Sequence, residues 1–109
     1  MEKRNGLLQG TLDMLILRTL LSGAAHGHEI GKHIQRTTND FLQMQHGSLY
    51  PALHRLEQQG WIRAKWGESD NNRRAKYYSL TRDGSRYLRQ QQAQWNRLSV
   101  AIASVLETT

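Results

Sequence analysis

Residues 47–62, GSLYPALHRLEQQGWI, limit most narrowly what this chain can fold into, because they read as one short helix with defined ends. Ser48 is predicted to cap the amino end, since a serine hydroxyl accepts a hydrogen bond from a free first-turn N–H. Pro51 then falls at the third helical position, where the missing N–H would be unpaired in any case. Gly60 suits the left-handed conformation that ends many helices.

The two sides of this predicted helix differ in chemistry. Three leucines repeat at i, i+4 and i+7 and should form one buried stripe: Leu49, Leu53 and Leu56. The opposite face carries groups that can reach phosphates or base edges: Tyr50, His54, Arg55 and Gln58. A DNA recognition helix needs one apolar face that packs on the core and an opposite basic face that can hydrogen-bond with DNA. The same pattern also fits a surface helix with ordinary solvated side chains.

Positive charge is concentrated in the second part of the chain. The net charge is +6 over 109 residues. Residues 1–60 hold six Lys/Arg and five Asp/Glu, whereas residues 61–109 hold nine and four. A basic half beside a nearly neutral half indicates a polyanionic partner. The length suits one domain rather than two.

The composition argues against several other classes of protein. The chain has no Cys, so it has neither a disulfide framework nor a thiolate metal site. Its longest apolar runs are far shorter than the roughly 20 residues that span a bilayer. The first ten residues, MEKRNGLLQG, lack the apolar core of a signal peptide. We therefore expect a cytoplasmic protein with no membrane partner.

Two helices are predicted before the recognition helix. Residues 7–21 are rich in Leu on more than one face, so this helix is buried on several sides or meets another subunit. Thr11 is its predicted N-cap, with Asp13 near the positive end of the helix dipole. A second helix is predicted over residues 27–37. After it, residues 42–45 alternate apolar side chains with Gln, which is compatible with a short strand.

A β-hairpin is predicted after the recognition helix. Residues 61–66 alternate as a strand does, and one side of this strand should be buried: Ile62, Ala64 and Trp66. Residues 67–74 form a polar loop, and residues 75–80 form the second strand. Thr81 is predicted to cap a last helix that persists to about Leu106, roughly 39 Å at 1.5 Å per residue.

The last helix is too long for the domain that precedes it. Its apolar residues follow a 7, 3, 4, 3 spacing, which is a heptad-like seam: Leu88, Trp95, Leu98, Ile102 and Val105. Since the preceding domain cannot bury the whole seam, we expect the helix to pair with its symmetry mate in a homodimer. The alternative is a helix that folds back on its own core.

The order of these elements predicts a mainly α fold with a small β-hairpin. It comprises a winged helix-turn-helix DNA-binding domain over residues 1–80 and a C-terminal dimerisation helix over residues 81–109. Several ordered motifs resemble the PadR family of bacterial transcriptional regulators, especially short members with a single C-terminal helix. The motifs are GTL at 10–12, HGHEI at 26–30, GSLYPAL at 47–53, LE at 56–57, RR at 73–74 and KYYSLT at 76–81.

The chain departs from the family pattern at a few positions. His28 stands where an aromatic residue is usual, and Ser48 replaces a common Thr but keeps the hydroxyl. Asn71 and Asn72 stand where the wing often has Gly. Asn tolerates a positive φ better than most residues, so we expect the turn to survive.

The resemblance implies a dimeric, ligand-responsive repressor whose two recognition helices enter successive major grooves of a palindromic operator. Four residues of the recognition helix are candidates for contact with bases or phosphates: Ser48, Tyr50, His54 and Arg55. Four wing residues should mainly neutralise phosphates: Lys65, Arg73, Arg74 and Lys76. Which helix residues touch bases is left open.

Trp95 has two interpretations. A Trp on a seam helix is most often packing. In short PadR-like proteins, however, the middle of the last helix can line a pocket for flat hydrophobic compounds. The indole of Trp95 would then offer a stacking face to a planar aromatic effector.

The sequence offers little support for a metal site, an enzyme or a module that binds only proteins. His26, His28 and His33 lack the Cys or carboxylate partners of a metal site, so no metal is expected. No nucleophile turn, phosphate loop or pair of catalytic carboxylates indicates an enzyme, and no cofactor is implied. A winged helix used only for protein contacts, without specific DNA binding, would present an acidic or apolar recognition face. His54, Arg55 and the basic wing argue against it.

Overall fold

The computed structural model describes residues 2–68 and 71–108, with side chains from residue 10 onward. In chain order, the elements are α1 (Glu2–Leu21), β1 (Ala25–His26), α2 (Gly27–Thr37), α3 (His46–Gln58), β2 (Ile62–Glu68), β3 (Arg74–Leu80) and α4 (Arg82–Glu107). The strands form one antiparallel sheet in the order β1-β3-β2. This architecture confirms the predicted winged helix followed by one long helix.

One apolar core holds the first three helices against the base of the hairpin. The predicted stripe of α3 is confirmed, since Leu49, Leu53 and Leu56 are all fully buried. It packs with Ala52 of the same helix and with buried residues of the other three helices and both long strands: Leu12, Ile16, Leu17, Leu20, Ile30, Ile34, Ile62, Tyr78 and Leu88. Because α3 is anchored through this stripe, its opposite face is left to solvent.

The predicted caps at Thr11 of α1 and Ser48 of α3 are wrong, because each of these two helices begins earlier than its sequence pattern indicated. α1 already runs through Thr11, since interior glycines cost a helix only about 1 kcal/mol each. In α3 the N-cap is Gln45, which makes no side-chain capping bond, and Ser48 lies in the first turn. Pro51 is consequently the sixth residue of α3 rather than the third, where it removes one helical hydrogen bond.

The strand that joins the hairpin in the sheet is not the one that the sequence predicted at residues 42–45. α2 spans the predicted residues, but residues 42–45 are not a strand in the structure. Leu42 and Met44 pack on the core from an irregular segment instead. Thr38 Oγ1 fixes this segment by accepting a hydrogen bond from the Leu42 amide at 3.1 Å. The additional strand is β1, whose two residues pair with Tyr77 and Tyr78 of β3.

The hairpin begins at a glycine that ends α3. Gly60 has a φ of +80°, and its N–H donates to the Glu57 carbonyl while the Trp61 N–H donates to the Leu56 carbonyl. This pattern is a Schellman motif, as Gly60 predicted. The wing turn contains Asn72 at a φ of +60°, so the expected asparagine turn is confirmed there.

The predicted buried face of the first strand is only partly correct. Ile62 is buried and Ala64 is half-buried, but Trp66 is 56% exposed, because the hairpin extends beyond the edge of the core. Trp61, which alternation assigned to the outer side, packs instead on Tyr87 of α4 with ring centroids 3.6 Å apart.

α4 is capped as predicted. Thr81 Oγ1 accepts a hydrogen bond from the Gly84 amide at 3.0 Å and donates one to the Gly60 carbonyl at 2.7 Å. Leu88, assigned to the dimer seam from its spacing, is 2% exposed and lies in the core of its own chain. It therefore has no surface to offer a second subunit, and the exposed part of the seam begins at Trp95.

We predict that Gly84→Ala strongly destabilises the domain. A Cβ at this position would overlap the Trp61 carbonyl oxygen and lie 2.8 Å from its carbon. The backbone would have to move, which should lower the free energy of unfolding by about 3 kcal/mol. The matched control is Gly10→Ala in α1, where a Cβ meets nothing within 4 Å. Urea denaturation should show the control to be as stable as the parent or more so; equal losses would contradict the close contact.

Candidate nucleic-acid interface

The outer face of α3 is a solvent-exposed surface of polar side chains. Ser48, His54 and Gln58 are exposed, and none of them is needed for the core. Ser48 lies in the first turn, so its hydroxyl sits at the positive end of the helix dipole, although its own amide donates to the Gln45 carbonyl at 3.0 Å. Backbone N–H groups at a helix start and side chains that hydrogen-bond in both directions suit contact with a nucleic acid.

Tyr50 is held by the first turn of α2. A Cβ on Gly27 would lie 2.6 Å from Tyr50 Cε1, so the tyrosine ring occupies the space that only glycine leaves open. The His46 ring meets the Tyr50 ring edge-on at a centroid distance of 5.4 Å. Tyr50 is thus fixed in orientation although it remains 42% exposed. The Gly27 contact was missed by sequence reasoning, since no local spacing pairs residues of two helices.

Arg55 is paired with α1. Its Nη2 donates a 2.6 Å hydrogen bond to Asp13 Oδ1, and the two side chains are 35% and 18% exposed. Burial raises the pKa of Asp13 above its ordinary value, although the Arg55 charge and hydrogen bond act to lower it. Arg55 therefore anchors α3 to α1, whereas Ser48, Tyr50 and His54 face solvent.

The four wing charges fall into three situations. Lys65 and Arg73 are exposed and have no ion-pair partner within the described part of the chain. Arg74 lies over the Trp66 ring, with its Cζ 4.8 Å from the centroid. Lys76 Nζ is 3.3 Å from Glu57 Oε1 on α3, so this ion pair joins the wing to the recognition helix. Among the described residues, three of these four groups, all but that of Lys76, have no ion-pair partner and can approach a phosphate.

A capping box fixes the start of α2 beside this surface. The His26 ring Nδ1 accepts a hydrogen bond from the Glu29 amide, and Glu29 Oε1 accepts one from the His26 amide, both at 3.3 Å. His26 also packs edge-on against Tyr77 of the wing at 5.3 Å. These contacts join α2 to the sheet and so set the position of Gly27 under Tyr50.

Two negative findings concern the described residues, 2–68 and 71–108. Within them, no group of three or more His, Cys, Asp or Glu is arranged to hold a metal ion. None of their helices combines the length and apolar character needed to cross a bilayer.

Comparison with known proteins gives one consistent result. A family model described as the transcriptional regulator PadR-like family matches residues 16–90. An uncharacterized protein from Lysinibacillus sphaericus is 32% identical over 104 residues, covering 95% of each chain.

Solved structures agree. A transcriptional regulator from Clostridium thermocellum is 31% identical, with a TM-score of 0.83 over 91% of this chain and 96% of that one. A PadR family transcriptional regulator from Eggerthella lenta is 32% identical, with a TM-score of 0.82 over 99% and 92%.

We predict that Arg55→Met destabilises the domain more than Asp13→Asn does. Arg55→Met leaves a mostly buried carboxylate without a partner, which should cost about 1–3 kcal/mol of unfolding free energy. Asp13→Asn removes that charge and leaves an arginine that water can reach, so we expect a loss below about 1 kcal/mol. Urea titration at pH 7 measures both.

The pH dependence gives a second readout of the same pair. Because burial raises the folded-state pKa of Asp13, ionisation of this carboxyl opposes folding. The stability that the protonated carboxyl contributes is fully present below its ordinary pKa, and it is lost as the pH rises through the folded-state pKa. The Arg55→Met penalty should therefore shrink as the pH falls towards 3.8. A penalty that is equal at both ends of the titration would show that the ion pair is not its cause.

Proposed function

The chain belongs to the PadR-like family of transcriptional regulators, and from this premise we propose that it is a ligand-responsive repressor that binds a palindromic operator as a homodimer. Such a protein acts in the cytoplasm, where bacterial DNA lies. The observation that carries the proposal is the exposed polar face of α3, held between the first turn of α2 and a basic wing. The family is one of regulators rather than enzymes.

In the proposed complex, α3 enters the major groove. This groove is about 12 Å wide and admits one helix. Ser48, Tyr50 and His54 would face the duplex, whereas Arg55 would reach it only if a phosphate or base replaced the Asp13 carboxylate. Lys65, Arg73, Arg74 and Lys76 would neutralise backbone phosphates beside the helix.

The proposed homodimer rests on the surface of α4. Among the described side chains, the core and Trp61 cover the early part of this helix. The predicted seam stays accessible beyond Gln90: Trp95 is 43% exposed, Leu98 49%, Ile102 47% and Val105 73%. Four apolar residues at 3, 4, 3 spacing on one helix face favour pairing with an identical helix. A twofold pair would also present two α3 helices to one palindrome.

The proposed effector site is at Trp95. The indole lies in the middle of the exposed seam, so in a dimer it would sit near the twofold axis with a broad face available for stacking. A planar aromatic compound bound there would release DNA only if it favoured a dimer geometry with misplaced recognition helices, because differential affinity is what shifts such an equilibrium.

Wing charges give the first test. Replacing Arg73 and Arg74 with Ala should weaken binding to all duplexes, and the slope of log K against log salt should fall by about 0.9 for each lost phosphate contact. Arg86→Ala with Arg97→Ala removes the same charge from α4 and serves as the control. Fluorescence anisotropy on random-sequence duplex measures both. Equal slopes for the wing variant and the parent would mean that the wing does not contact the backbone.

The proposed dimer is tested by placing a charge on the seam face of α4 and, as a control, on the opposite face. Leu98→Glu would place charges within the proposed seam and should turn a particle of twice the 12.6 kDa chain mass into a monomer at micromolar concentration. Val100→Glu is the matched control, since Val100 is 68% exposed and points away from the seam. Analytical ultracentrifugation distinguishes the two variants. A monomeric parent protein would rule out the dimer.

The effector site is tested with Trp95→Ala in protein that still dimerises and binds DNA. Flat aromatic compounds that do not themselves bind DNA should release the parent from an operator duplex but leave the variant bound. Anisotropy of labelled duplex reports the release. If the variant is released at the same concentrations, Trp95 is a packing residue and the effector binds elsewhere.

A further inference from the structure

Trp66 is exposed at a position where strand alternation alone would bury it. It lies on the same face of β2 as Ile62, which belongs to the core, but it stands farther out along the hairpin and is 56% exposed. Its β-ladder partner is Lys76, and Arg74 lies on the same face two residues along β3. A large exposed ring among cations, on a surface that otherwise hydrogen-bonds, is a candidate contact residue.

Arg74 and Trp66 form one unit. The Arg74 Cζ lies 4.8 Å from the centre of the indole, within the range of a cation–π contact. The ring holds the planar guanidinium in place while Arg74 itself stays exposed. The neighbouring Arg73 has no described aromatic ring beneath it, so these adjacent arginines differ in how firmly they are oriented.

The unit faces the recognition helix. Lys76, the direct cross-strand neighbour of Trp66, pairs with Glu57 of α3 at 3.3 Å. The face that carries Trp66 and Arg74 is therefore continuous with the outer side of α3. If α3 occupies a major groove, the hairpin that follows its carboxyl end would run along the bordering phosphate backbone, within reach of the adjoining minor groove. A narrow, A·T-rich minor groove has an enhanced negative potential that attracts inserted arginines.

We propose that Trp66 positions Arg74 to read the minor groove that flanks each recognition-helix site, so that the pair selects A·T-rich flanks. This rests on the proposed DNA binding. The guanidinium approaches the groove floor, and the indole supports it and packs against the sugar–phosphate wall. Trp66 is thus a positioning residue, and Arg74 adds groove reading to the phosphate neutralisation that it shares with Arg73.

The test uses a duplex that the parent protein recovers from a randomised library. Its flanking base pairs are then made A·T, G·C or inosine·C, the last keeping the major-groove pattern of G·C while lacking its minor-groove amino group. The parent should bind A·T and inosine·C flanks about two- to fivefold more tightly than G·C flanks, as one exposed cation–π-oriented contact allows. Anisotropy titration at constant salt gives the ratio.

Two variants address the pair separately. Trp66→Leu removes the ring, and Arg74→Lys keeps the charge without the planar group. Both should bind all three duplexes with nearly equal affinity. Arg73→Lys is the control and should change affinity for the three duplexes alike, leaving the ratio as in the parent. Circular dichroism checks the fold; if Trp66→Leu unfolds, Arg74→Lys alone decides.

Each outcome is decisive. Loss of the flank preference in Arg74→Lys, with strong binding retained, supports the proposal. A parent that does not distinguish G·C from inosine·C, or variants that keep the preference, overturns it while leaving DNA binding intact. A parent that recovers no duplex from the library refutes the proposed function, and the minor-groove inference with it.

Discussion

The structure depends on one junction where the end of α3 and the start of α4 meet. Thr81 donates its hydroxyl to the Gly60 carbonyl, and its amide donates to the Trp61 carbonyl at 3.1 Å. Gly84 lies so close to that carbonyl that no side chain fits, and the Trp61 ring stacks on Tyr87. Because the hairpin leaves and returns through this junction, the recognition helix, the wing and the long helix are fixed to one another.

Charged contacts then set the position of α3 from both sides. Arg55 joins it to α1 through Asp13, and Glu57 joins it to the wing through Lys76. Neither ion pair is deeply buried, so each contributes only modest stability. Each nevertheless restrains the position of α3 relative to its neighbour. The packing of Tyr50 against Gly27 fixes a third point. A surface that is held rigidly before binding loses less entropy when it meets a partner.

The sequence predicted local features better than contacts between distant residues. The leucine stripe of α3, the turn at Gly60 and the Thr81 cap follow from periodicity and from short-range hydrogen bonds, and all were confirmed. Two local predictions, the caps at Thr11 and Ser48, failed because both helices begin earlier. The other failures come from contacts between distant parts of the chain. β1 exists only because β3 is available to pair with it, and Trp66 is exposed only because the core ends before the wing does. No spacing along the chain encodes either circumstance.

The rigid junction also limits how the proposed induction could work. With α3 and α4 fixed to each other near Trp61 and Gly84, a ligand between two α4 helices of the proposed dimer would not shift α3 within its own domain. The crossing angle between the two long helices could still change, and such a change would rotate each DNA-binding domain as a rigid body. Adjacent major-groove sites on one side of a duplex lie about 34 Å apart. Since α4 is 26 residues long, a small rotation near Trp95 would move the distant recognition helix by several times the displacement at the ligand.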